Sequence, residues 1–262
     1  MNIVVTVKQV PDPNIPPSDI QLDAGARRIV SPFGVAPGIN GYDANALEEA
    51  LRLREKHGGR VTVLGLGEDA AREALKGAVA MGADAAILLN DPQWLEADSA
   101  GVGRALAGAV RKLGACDLVL CGRQASDTDG GQVLFWLAAA LGIDAVSPVA
   151  AIESAEADAL IVRRLSEDGY QRLRVGLPAL LGISSEINEP RRASMRGIMA
   201  AARMHIPGWK ADDVGLKALA PKVELRGLKV QQRTSRALMI DGDSGSAQGT
   251  ALADKLRELG LI

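Results

Sequence analysis

Short, unbroken apolar runs alternate with helical patterns through the first half of the chain. "NIVVTVKQ" (2–9), "RVTVLGL" (60–66), "AAILLN" (85–90) and "DLVLC" (117–121) have no polar alternation, as expected of parallel strands covered on both faces. Between them, "DANALEEALRLREKHG" (43–58), "EDAAREALKGAVAMG" (68–82) and "SAGVGRALAGAVRKLG" (99–114) read as helices. In the first of these Ala46, Leu47, Ala50, Leu51 and Leu53 fall on one face, with Glu and Arg opposite. Asp43 can cap that helix and Gly58 can end it. A fourth helix, "QVLFWLAAALG", follows the last of these strands. Such alternation with short links predicts an α/β fold: a doubly wound, mostly parallel sheet with right-handed crossovers.

The pattern changes near residue 146. "ALIVRRL" and "YQRLRVGLP", joined by "SEDG", read as a β-hairpin added to the sheet over 159–178. "SEINEPRRASMRG" (185–197) is polar, no long period survives from about Pro207 to Ala247, and "TALADKLRELG" (250–260) reads as a last helix. A tail with no core of its own packs on something else, its own domain or a partner chain.

Composition narrows the class. Of 262 residues, 47% are apolar and 24% charged, with a formal net charge of −2, which gives no broad basic field for nucleic acid or an anionic membrane. No apolar run approaches a membrane span, so membrane insertion is not expected. Met1 leads straight into strand pattern without signal-peptide features, so a cytoplasmic location is expected. Cys116 and Cys121 match neither a C-x-x-C nor a zinc spacing and read as reduced, buried thiols.

Candidate chemistry is sparse. "GLGEDA" (65–70) has the spacing of a dinucleotide fingerprint, with Asn90 and Asp91 about 20 residues on. Glu68 and Asp69, however, would repel a pyrophosphate at that helix start, and the motif follows the second strand instead of the first. The alternative is a tight turn whose acids cap the helix. His57 and His205 have no acid or nucleophile partner in the pattern, and no hydrolase, zincin or Walker motif occurs. The D-x-D pairs Asp127/Asp129 and Asp241/Asp243 lack the further ligands of a calcium loop. No catalytic residue and no metal site is predicted.

The loop "GRQASDTDGGQV" differs from a plain strand-to-helix link, being long, polar and glycine-rich. Gly130 and Gly131 at a helix start allow amides to approach a phosphate, where the helix dipole favours negative charge. At the carboxyl edge of a parallel sheet this would be a nucleotide cradle; an ordinary glycine-rich loop is the other reading.

With "VKQVPD" (7–12), "NALEEALRLREKHGG" (45–59), "ALKGAVAMGADAAILL" (74–89), "DLVLCGRQASDTDGGQV" (117–133) and "LPALLGISSEINEPRRASMRGIM" (177–199), the chain resembles the β subunit of electron transfer flavoproteins in five ordered blocks. The resemblance implies a heterodimer with an α subunit that holds most of an FAD, and an AMP buried structurally in this chain. Electrons would pass from a flavin-dependent dehydrogenase donor to a quinone-reducing acceptor, with this chain an electron carrier subunit and not an enzyme. By position, the AMP pocket would comprise Thr6, Asn40, Gly41, Tyr42, Asp43 and Leu66. It would also take in the loop of Gly122, Arg123, Gln124, Ala125, Ser126, Asp127, Thr128, Asp129, Gly130, Gly131, Gln132 and Val133, with the last three at the phosphate. Glu189, Pro190, Arg191, Met195, Ile198 and Met199 would dock the dehydrogenase, Met195 as the apolar anchor. The implied division is a Rossmann-like nucleotide-binding α/β domain over 1–206, including a recognition loop at 184–206, and a C-terminal arm over 207–262 packing on the partner subunit.

The chain departs from the family pattern in five places: "NGYD" (40–43), "SPFGVAPG" (31–38), Val133 in place of a threonine, Leu165 in place of an acid, and Arg196 with "AAARM" (200–204) in the recognition loop. These departures point to a donor other than the usual acyl-CoA dehydrogenases. They also leave a second reading open, a bifurcating electron transfer flavoprotein with a second FAD and NADH oxidation in this subunit.

Overall fold

The structure is a computed structural model that describes residues 1–12, 14–23, 25, 28–216, 221–230 and 237–262. The chain divides into two units, Met1–Leu228 and Lys229–Ile262, each described by itself.

Among the described residues, the first unit is built on a nine-stranded sheet. Its strands are β1 (Asn2–Val7), β2 (Arg60–Leu66), β3 (Ala85–Leu89), β4 (Leu118–Gly122), β5 (Asp144–Ala155), β6 (Ala159–Ser166), β7 (Gly169–Gly176), β8 (Ala179–Ile183) and β9 (Gly208–Trp209). Their spatial order is β7-β6-β5-β8-β4-β1-β2-β3-β9. The strands from β8 across to β9 pair in parallel throughout. β5 is parallel to β8 over Asp144–Val149 and antiparallel to β6 over Val149–Ala155, and β6 and β7 form the expected hairpin. Two short ladders, Gln9–Val10 with Gly38–Ile39 and Gln21–Asp23 with Arg28–Val30, lie in the long link after β1.

The helices are α1 (Gly41–His57), α2 (Arg72–Met81), α3 (Ser99–Leu113), α4 (Val133–Leu141) and α5 (Met195–Arg203), with α6 (Gly245–Glu258) in the second unit. Alternation along β1 sends Ile3, Val5 and Val7 to one face and Val4 to the other. The first face packs on Leu47 and Leu51 of α1, Leu75 of α2 and Ala201 of α5; the second packs on Leu106 of α3 and Leu134 and Leu137 of α4. Both faces are therefore covered, as the unbroken apolar runs require. Each of these fully buried leucines stabilises the unit by about 1.5–3 kcal/mol.

Several expectations are corrected. Glu68 and Asp69 do not cap α2: Glu68 pairs with Arg28 at 3.0 Å and Asp69 with Arg72 at 3.2 Å, so their charges are spent on arginines. Asp43 does not cap α1, because that helix begins at Gly41 and the Asp43 carboxylate faces other strands. The polar stretch before residue 197 opens α5, capped by the Ser194 hydroxyl, which accepts from the Gly197 amide at 3.0 Å. In the second unit α6 has no buried residue, and Leu252, Leu259, Leu261 and Ile262 are exposed. Among the described residues no helix is long and apolar enough to cross a membrane.

Candidate functional site

β1 and β4 are neighbours from which the chain winds in opposite directions, β1 toward β2 and β3, β4 toward β8. That is the switch point where open α/β sheets leave a crevice at their carboxyl ends. Three segments meet there: the chain leaving β1, the first turn of α1, and the loop from β4 to α4.

Gly122, the last residue of β4, lies hard against α1. A β-carbon there would meet the Asp43 carboxylate, and would stand 2.8 Å from Tyr42 Cβ, so only glycine allows the approach. The Gly122 amide donates to Asp43 Oδ1 at 3.0 Å, and the Lys8 amide donates to Asp43 Oδ2 at 2.8 Å. Asn40 holds the loop from the other side, its Nδ2 donating to the Gln124 carbonyl at 2.8 Å and its Oδ1 accepting from the Ser126 amide at 3.1 Å. The Lys8 ammonium reaches both oxygens of Asp127 at 2.7 Å. Arg123 is fixed through its amide to Ile183 of β8 at 2.9 Å, and its guanidinium lies 5.6 Å from the Tyr42 ring centre.

Within the loop, Ala125 accepts the amides of Thr128 and Asp129, and Gln124 Nε2 donates to Asp129 Oδ1 at 2.8 Å. Asp129 and Gly131 take left-handed backbone, φ +48° and +58°, which turns the chain into α4. α4 has no side-chain cap: Gln132 precedes it, and the amides of Gly131, Gln132 and Val133 donate to no acceptor among the described residues. An uncapped helix start with unpartnered amides is suited to an anion.

Burial dominates the ionisation here. Asp43 is pushed up to about 7 by loss of water, against the amides of Lys8 and Gly122, the Asn40 side chain and the Lys8 charge. Burial likewise pushes the Cys121 thiol, hydrogen-bonded to Thr6, up to about 12. Thr6 and Cys121 thus meet side by side near the ends of β1 and β4. Leu66, at the end of β2, packs with the second core face. A separate cavity of about 570 Å³ lies at the opposite edge of the sheet, beside Met1, Asp117 and Pro178, away from every one of these residues.

The docking candidates divide into two groups. Met195 (75% exposed), Ile198, Met199 and Glu189 face solvent. Arg191 does not: its guanidinium is tied to Glu48 at 2.7 Å and to Glu55 at 2.5 Å, and its amide donates to Glu48. Pro190 is half-buried beside it. Asn188 joins the same face of α1, exchanging hydrogen bonds with Asn45 and donating to Glu49. Lys8 and Asn188 are site residues that sequence reasoning did not single out. A lone lysine directly after the first apolar strand was the available signal for Lys8.

The electron transfer flavoprotein domain model matches residues 32–214. The chain is 42% identical to the electron transfer flavoprotein subunit beta of Thermoanaerobacterium thermosaccharolyticum, over 85% of this chain and 86% of that one. It is 37% identical to Protein FixA of Azorhizobium caulinodans, over 92% and 89% respectively. It is also 35% identical to the caffeyl-CoA reductase-Etf complex subunit CarD of Acetobacterium woodii, over the whole of both chains.

Proposed function

The chain belongs to the electron transfer flavoprotein family, as a β subunit, and from that we propose that it binds an adenine nucleotide in the β1/β4 crevice and works as half of a heterodimer. The observation that carries the nucleotide reading is the run of unpartnered amides at Gly131, Gln132 and Val133, presented by an uncapped helix at the switch point. These residues suit a phosphate. They offer neutral donors, and their nearest carboxylates are already engaged, Asp127 by Lys8 and Asp129 by Gln124.

In this reading AMP is held structurally here, and the α subunit supplies most of the FAD site. The FAD, when bound, supplies the redox chemistry; this chain's residues orient and bury its partner's site. Residues 1–206 form the nucleotide-binding domain with its docking segment. The arm that follows to residue 262, whose first residues still edge the sheet as β9, packs on the α subunit. The exposed leucines of α6 support that role, since a helix with no buried face of its own gains by covering them. Met195, Ile198 and Met199 meet a flavin-dependent dehydrogenase, and the electrons go on to a quinone-reducing acceptor.

The test is the identity and stoichiometry of nucleotides released on denaturing the copurified heterodimer. One FAD and one AMP per heterodimer supports the carrier reading. Two FAD and no AMP replaces it with the bifurcating one. A chain that copurifies with no flavin-bearing partner and releases no adenine nucleotide overturns both.

A further inference from the structure

The start of α1 is tied to the backbone of β1's exit, β4 and its loop through Asn40 and Asp43. Asn40 is 1% exposed with both polar atoms engaged on the loop, and Asp43 is 6% exposed with one oxygen on each of two amides. Those two amides belong to different strands' exits: Lys8 opens the link after β1, and Gly122 closes β4. One carboxylate therefore spans the switch point. Nine residues further on, the same loop presents the amides of Gly131, Gln132 and Val133.

We propose that Asp43 is a positioning residue for this crevice: its ionised carboxylate fixes the spacing between the chain leaving β1 and the chain leaving β4, and so aims the phosphate-facing amides without itself touching the nucleotide. The proposal rests on the adenine-nucleotide reading above and adds a role for one buried group within it. An ionised carboxylate accepts strongly on both oxygens, whereas a protonated one keeps one carbonyl acceptor and turns the other oxygen into a hydroxyl, a weaker neutral acceptor whose proton must point away from the amide. Protonation thus weakens the hold on one of the two amides and loosens one end of the span.

The titratable and charged groups facing Asp43 are few. From the β1 exit comes the Lys8 ammonium, which favours the ionised form and is itself held by Asp127. β4 contributes the Cys121 thiol, which keeps its proton throughout the neutral range. Tyr42 and Arg123 stack alongside, and β8, an apolar strand, contributes none. Asp43, pushed up to about 7 by burial, is the group among these placed to change charge near neutrality.

The experiment follows nucleotide release from the purified, loaded heterodimer by dialysis and chromatography between pH 6 and 8, with the thermal midpoint measured alongside. Wild type is expected to release its nucleotide about tenfold more slowly at pH 8 than at pH 6, the effect of one hydrogen bond to a charged group. Asp43→Asn is expected to release at the fast rate across the range, with no pH dependence. Asp43→Ser, smaller and likewise without an ionisable group, should behave alike and serves if Asp43→Asn does not assemble. A nucleotide-loaded wild type with a flat profile, or variants that keep the wild-type slope, overturns the role of Asp43 alone. A wild-type complex that yields no adenine nucleotide overturns the site and this role together.

Discussion

Arg191 reaches from the segment ahead of α5 to Glu48, two turns into α1, and places Nε 2.7 Å from a carboxylate that is only 3% exposed. Arg52 approaches the same carboxylate from the next turn at 2.8 Å. Burial alone would raise Glu48, but the bonds from Arg191 and Arg52 outweigh it and hold the group below the usual glutamate range. The pair therefore pins the segment ahead of α5 to the helix whose first turn lines the β1/β4 crevice.

Removing Arg191 leaves a buried charge short of its main partner. Arg191→Met is expected to destabilise the first unit by about 3 kcal/mol at pH 7, read as a lower urea midpoint. Because the Glu48 group is depressed in the fold, its contribution is present above the unfolded value of 4.5 and lost as pH falls below it. The gap between variant and wild type should accordingly narrow from pH 5 to pH 3.

Gly197 lies against α2 so closely that a β-carbon would overlap the Ala80 carbonyl. Gly197→Ala must lift α5 from α2, at about 1–3 kcal/mol. Amide exchange should speed up in α5 and at the end of α2, and not in α3 or α4; uniform protection would refute the contact.

Met195 touches solvent on most of its surface and Ile198 and Met199 lie beside it on α5. Met195→Glu should leave the thermal midpoint within about 2 °C, as for a surface change. If the docking proposal holds, it should raise the KM for the dehydrogenase donor at least tenfold while leaving flavin content unchanged. An unaltered KM would remove Met195 from the docking surface.

Asp43 carries the opposite pH sign from Glu48. Its value is about 7 in the fold and 3.8 unfolded, so the native state holds a proton that the unfolded state releases between those limits. The stability it contributes is full below 3.8 and is lost as pH rises toward 7. Wild type should therefore lose unfolding free energy from pH 5 to pH 7.5 relative to Asp43→Asn; parallel curves would show the carboxylate to be ionised throughout.

Burial pushes Cys116 up to about 11 and Cys121 up to about 12. At pH 8 fewer than about one in a thousand of either is thiolate, so a disulfide reagent should modify neither in the native protein within minutes. Both should react once the chain is unfolded in guanidinium, which gives the count of two.

The first four strands and four helices were legible because their apolar periods answer to the core they build. α5 was not: Met195, Ile198 and Met199 stand at helical spacing, but that face points to solvent, while the side that packs is made of Gly197 and Ala201. Strand β5 escaped notice because Ser147 and Pro148 interrupt an apolar run where it passes from one neighbour to the other. At the crevice, resemblance pointed to Asn40 and Asp43, yet their partners lie 35 residues away at the exit of β1 and 79 to 86 residues away on β4 and its loop. No local pattern encodes such pairings. Glu68 after β2 misled for the same reason, since its partner Arg28 is 40 residues off.

The sheet ends at β7 on one side and at the two-residue β9 on the other. An open strand invites a foreign one to continue the ladder, the first step toward a fibre. β7 carries Arg172 and Arg174, braced by Glu153 and Asp158, and a strand laid alongside would have to bring matching acids or tolerate like charge. β9 is too short to template anything. Neither edge thus offers this chain a ready start for polymers of itself.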